Sequence, residues 1–102
     1  MDRIALLKSY LKKTPEDSFL KHALALEYLK LHEENKAIGL FEELLILNPD
    51  YVGSYYHLGK ALEKTGNPEK ALTVYQKGIE IAKKLNDNHA AAELQQAADN
   101  LL

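Results

Sequence analysis

The chain has no cysteine among its 102 residues, which removes disulfides, thiolate nucleophiles and thiolate metal sites together. A reducing compartment fits that composition without being required by it. Proline and glycine number only 3 and 5, too few for a flexible linker. With 46% hydrophobic and 27% charged residues, the chain is expected to fold throughout as one domain. Neither sign of charge dominates: 13 basic against 15 acidic residues leave a net −2. No global field draws the chain to phosphate backbones or anionic lipid, so neither nucleic acid nor a membrane is an expected partner. No segment approaches the ~18 consecutive apolar residues of a membrane span. Polar residues break up residues 1–13, so an unbroken signal-peptide core is missing there as well. The expected location is the cytoplasm.

What is present is apolar spacing of helical period from one end to the other, with no alternating run bounded by turn residues that would argue for a strand. Three boundaries carry one signal: Thr14-Pro15-Glu16, Asn48-Pro49-Asp50 and Asn67-Pro68-Glu69. In each, the Thr or Asn can cap a helix, Pro suits the first helical position and the acid favours the positive end of the helix dipole. Gly66 suits the left-handed position that closes a helix, and Asn86-Asp87-Asn88 supplies a cap for the last one. The spacing predicts six helices, at 2–13, 16–31, 34–47, 50–65, 68–85 and 88–102. The short connections between them force antiparallel neighbours.

Chemistry-bearing motifs are weak. Gly53 to Lys60 imitates a phosphate loop, but five residues separate Gly53 from Gly59 and Ala61 stands where Ser or Thr would hold magnesium. His22, His32, His57 and His89 fall on different helices or helix ends, without the paired spacing of a zinc site. Ser9, Ser18 and Ser54 occupy no strand-turn-helix elbow. Adjacent acids such as Glu33-Glu34 and Glu42-Glu43 point apart around a helix. No catalytic residue, no metal ligand and no cofactor is expected. The cations of the first helix, Arg3, Lys8, Lys12 and Lys13, could meet an anionic surface, but its stripe of Ile4, Leu7 and Leu11 is better explained by packing on the next helix.

One pattern occurs twice. Leu24, Ala25, Tyr28, Ala37 and Phe41 recur 34 positions later as Leu58, Gly59, Leu62, Ala71 and Tyr75, and Pro15 recurs as Pro49. Small residues at Ala25 or Gly59 and at Ala37 or Ala71 let two helices approach, and large ones on either side fill the gaps. In spacing and residue type this resembles the tetratricopeptide repeat, and in size the small free-standing bacterial members of that family. The second copy reads Tyr55, Leu58, Gly59, Leu62, Ala71, Tyr75. The first reads Lys21, Leu24, Ala25, Tyr28, Ala37, Phe41, Pro49. Lys21 replaces an aromatic, which suggests a less buried outer edge. Lys83 replaces a third proline, so the fifth helix is prolonged and the sixth can sit off the repeat register.

The resemblance implies an all-α, right-handed α-solenoid of antiparallel helical hairpins. It comprises two full repeats (16–48 and 50–85), an N-terminal capping helix (1–13) and a C-terminal one (88–102). Two repeats fall short of the roughly three usually needed, so both flanking helices should be required for folding. The resemblance also implies a non-catalytic scaffold that binds a peptide or protein segment in a concave groove. By position that groove holds Phe19, His22, Ala23, Leu26, Leu29 and Lys30 in the first copy. The second copy adds Gly53, Tyr56, His57, Lys60, Glu63 and Lys64. Ala90, Ala91 and Leu94 extend the groove if the last helix continues the array. Tyr55 and Tyr75 fall in the core, whereas Tyr56 is the expected ligand contact. A Lys-and-Asn clamp for a C-terminal carboxylate, used by one subset of the family, is replaced here by His22, Leu26 and His57. The alternative is a self-association unit that pairs two copies through the solenoid ends, at Leu7 and Leu11 or at Leu94 and Leu101.

Overall fold

Residues 2–102 are described by a computed structural model, and among them lie six α-helices and no strand. They are α1 (Arg3–Lys13), α2 (Ser18–Lys30), α3 (Glu34–Leu47), α4 (Gly53–Lys64), α5 (Pro68–Lys84) and α6 (Asn88–Asp99). Each helix packs on the next, and α6 also reaches α4. This is the arrangement of an α-solenoid, in which elements near in sequence are near in space.

Proline plays two roles at the three boundaries. Pro68 is the first residue of α5, as its fixed φ allows. Pro15 and Pro49 instead occupy the second position of β-turns, where the same φ is equally suited. The Asp17 amide donates to the Thr14 carbonyl at 3.1 Å and the Tyr51 amide to the Asn48 carbonyl at 3.1 Å. The helices expected from 16 and 50 therefore start at Ser18 and Gly53. Asp17 caps α2, its Oδ1 accepting from the Leu20 amide at 2.9 Å. Thr14 and Asn48 do not cap the helices that follow them, and Asn67 sits at the N-cap position of α5 without a side-chain capping bond. Asn48 Nδ2 donates to Ser18 Oγ at 3.5 Å and Asn67 Nδ2 to Thr65 Oγ1 at 3.1 Å. Asp87 does cap α6, accepting from the Ala90 amide.

The C-termini of α2, α4 and α5 share one closure. His32, Gly66 and Asn86 have φ of 58°, 82° and 59°, and the next residue's amide reaches back into the final turn. Glu33 donates to the Tyr28 carbonyl, Asn67 to Leu62 and Asp87 to Ala82. These are Schellman motifs. The ends of α1 and α3 use the proline turn instead. By ending in a Schellman motif, α5 runs for 17 residues where α3 runs for 14.

The core follows the duplicated pattern: Ala25, Ala37, Phe41, Ala71 and Tyr75 are completely buried, and Leu24, Tyr55, Leu58 and Leu62 nearly so. Gly59 lies directly under the Tyr75 ring, where a Cβ would stand 2.1 Å from a ring carbon. Lys21, expected at a looser edge, is in fact only 8% exposed. By the 34-residue step it stands where Tyr55 stands in the second repeat, and its ammonium pairs with Glu43 at 3.4 Å.

Candidate peptide-binding groove

The first helices of successive hairpins, α2 and α4, bring two histidines together. His22 and His57 have ring centroids 5.6 Å apart in an edge-to-face arrangement. Both lie against Phe41, at 5.6 and 6.2 Å. His22 Nδ1 shares a hydrogen bond of 2.7 Å with the fully buried Ser54 hydroxyl, and its ring lies 5.3 Å from that of Tyr51. Burial pushes the pKa of both imidazoles below the ordinary value. For His22 the facing His57 adds to the depression, whereas for His57 the carboxylate of Glu93 opposes it. Both half-buried rings thus favour the neutral form near pH 7, and they meet at an angle in the wall.

Along α4 the wall becomes polar. Tyr56 stands edge-on to His57 at 5.7 Å, the Lys60 ammonium lies 5.5 Å over the Tyr56 ring, and Lys60 pairs with Glu63 at 3.7 Å. Glu63 is also held from behind, since its carboxylate accepts from the Tyr75 hydroxyl. Burial, and then that hydrogen bond, raise the Tyr75 pKa far above its usual range, so the phenol stays a donor.

Between α4 and α6 this wall opens into a cleft of about 250 Å³, lined by Tyr56, Lys60, Glu93, Gln96, Ala97 and Asn100. Of the α6 residues expected here by a 34-residue step, Leu94 is only 1% exposed and belongs to the core. Neither Ala90 nor Ala91 lines the cleft. The longer α5 is the cause. Leu58, Ala61 and Leu62 recur in burial as Leu94, Ala97 and Ala98, 36 positions on, and by the same step Lys60 and Lys64 correspond to Gln96 and Asn100. Lys83, Lys84 and Leu85, in place of a proline stop, were the signal of that displacement.

His22, Tyr56, His57, Lys60 and Glu63 therefore form one continuous surface, while other expected residues do not join it. Phe19 is 65% exposed in the first turn of α2, and Lys30 sits at the far end, bound to Glu27 at 3.1 Å. Glu27 also accepts from Arg3 of α1, and this cationic pair holds its carboxyl below the usual range, with the Lys30 hydrogen bond the larger cause. Leu26 and Leu29 are half-buried and pack against the core, and Ala23 is buried. Lys64 is exposed at the end of α4, and Gly53 lines a shallow recess beside His22 and Tyr51. Among the described residues no three His, Asp or Glu side chains converge as metal ligands. No helix there is long and apolar enough to cross a membrane.

Helical hairpins stacked in one direction, with the first helix of each turned to a shared wall, define an α-solenoid interaction scaffold. A tetratricopeptide repeat model matches residues 52–85. The crystal structure of a tetratricopeptide repeat domain protein from Salinibacter ruber is 42% identical, with a TM-score of 0.79 over 83% of this chain and 94% of that one. A solution structure from the same organism gives 44% identity and a TM-score of 0.80, over 85% and 88%. The solution structure of a Bordetella parapertussis protein, 22% identical, shares the fold with a TM-score of 0.85 over 99% and 88%. The chain belongs to the tetratricopeptide repeat family. Members of that family are in general non-catalytic scaffolds for protein–protein interaction.

Proposed function

We propose that this chain is a non-catalytic scaffold that binds a peptide or protein segment across the wall formed by α2, α4 and α6. The observation that carries the reading is the unbroken sequence His22, His57, Tyr56, Lys60, which leads from an aromatic recess into the α4–α6 cleft. Neutral imidazoles and a tyrosine face offer apolar contact at low entropic cost, and Lys60 supplies a cation at the cleft. A ligand with an aromatic or aliphatic anchor followed by acidic side chains suits that order. No cofactor or metal enters the proposal.

The test is a selection of peptides from a displayed library, followed by titration of the best binders against the Tyr56→Ala, Lys60→Glu double variant. Binding should fall by at least about tenfold, a loss of ~1.4 kcal/mol, with mass and melting temperature unchanged. Equal affinity for both proteins would move function off this wall. Of the residues named for self-association through the solenoid ends, Leu7 and Leu94 are 4% and 1% exposed and already occupied by the chain's own core, while Leu11 and Leu101 are partly buried against it.

A further inference from the structure

A second recess lies on a face that shares no lining residue with the α4–α6 cleft. It has a volume of about 460 Å³, and its apolar floor includes Leu45, Pro49 and Tyr55. Its two charged lining residues are of opposite sign, Glu42 from α3 and Lys77 from α5. Beside it Ile46, itself a lining residue, is 81% exposed, and the neighbouring Leu47 is 55% exposed. The fold does not require a hydrophobe at position 46. Its counterpart one repeat later, 34 positions on, is Glu80, likewise exposed on α5. Placing a branched aliphatic in water next to an apolar recess needs another reason.

We infer that this face is the interface of a homodimer in which Ile46 of each chain enters the recess of the other. A two-fold interface must be complementary to itself, and this patch carries both halves of each complement. A projecting aliphatic side chain adjoins an apolar hollow, and an acid and a base stand on the same rim. A two-fold axis through the patch sets Glu42 against Lys77 of the second copy, twice over. Both groups are free to do so. Glu42 has no ion pair among the described residues, and Lys77 has only an exposed contact with Glu80 at 3.9 Å. A foreign peptide would need only the hollow. The matched projection and the paired rim charges specify a second copy of this chain.

Light scattering or sedimentation of the full chain over a dilution series from micromolar to millimolar tests the inference. The wild type should pass from one-chain to two-chain mass. Ile46→Glu, which copies the residue of the second repeat, should weaken the dimer by at least about 100-fold, because two buried carboxylates would face apolar floors, and should leave the melting temperature intact. Glu42→Lys and Lys77→Glu should each weaken it by about tenfold through like charges brought face to face, and the two together should restore it. A one-chain mass throughout overturns the inference, as does a dimer indifferent to Ile46→Glu or a charge-reversed pair without recovery. Loss of peptide binding in Ile46→Glu, with no change of mass, would assign the face to a foreign partner and overturn it equally. The Tyr56→Ala, Lys60→Glu variant should dimerise like the wild type, so failure of the groove reading and failure of this one are distinguishable.

Discussion

Two helical glycines have opposite meanings because of what surrounds them. At Gly59 the Tyr75 ring rests on the backbone, so an added methyl group has no space. At Gly39, in the middle of α3, nothing lies within 4 Å of where a Cβ would stand. Gly59→Ala should therefore lower stability by about 1–3 kcal/mol through overpacking. Gly39→Ala should raise it by about 0.5–1 kcal/mol by removing a flexible residue from a helix interior. Urea unfolding of the two variants should move the midpoint in opposite directions with an unchanged slope. Gly59 was legible as a close-approach site because it stands in the repeat pattern beside Leu58. Lys21 was not legible. Its identity suggests exposure, and only three-dimensional packing shows that it is buried and paired with Glu43.

At the scale of helices, apolar spacing and the proline and cap signals were enough to find all six, but not to place every end. Proline's φ fits a β-turn as well as a first helical turn, so the boundaries at Pro15 and Pro49 were ambiguous in a way that sequence could not resolve. The Schellman closures at His32 and Asn86 lack the glycine that betrays the one at Gly66. The contact between α2 and α4 should show a pH dependence. His22 and His57 have folded pKa values below the ordinary 6.5, so below that pH the unfolded chain binds more protons than the folded one. Their contribution is fully present above pH 6.5 and is lost as pH falls through the folded values. Urea midpoints measured from about pH 7.5 to about pH 5 should decline for the wild type. They should decline less steeply for His22→Asn, which removes one of the two titrating rings while leaving His57 in place.

On the scale of the whole molecule, stability depends on neighbours covering one another in a line. α6 covers both α4 and α5 with Leu94, Ala97 and Ala98, so it supports the second repeat as well as one side of the cleft. Deleting residues 88–102 should abolish the cooperative melt or drive association, and Leu94→Ala should cost about 2–5 kcal/mol. A truncated chain that still melts as a cooperative monomer would show that the second repeat closes its own core. The shared wall of His22, Tyr56, His57 and Lys60 on α2 and α4 could be read from position in the repeat, whereas Glu93, Gln96 and Asn100 could not, because the period that locates α4 no longer holds across the longer α5.

That longer α5 also breaks the translational symmetry of the wall. A strictly periodic array offers a ligand the same side chains at every step, so the ligand can slide from one frame to the next. Here a slide from α4 to α6 exchanges Lys60 for Gln96, a cation for an amide. If the proposed groove is used, a ligand that satisfies one step would not satisfy the other and would be held in a single frame.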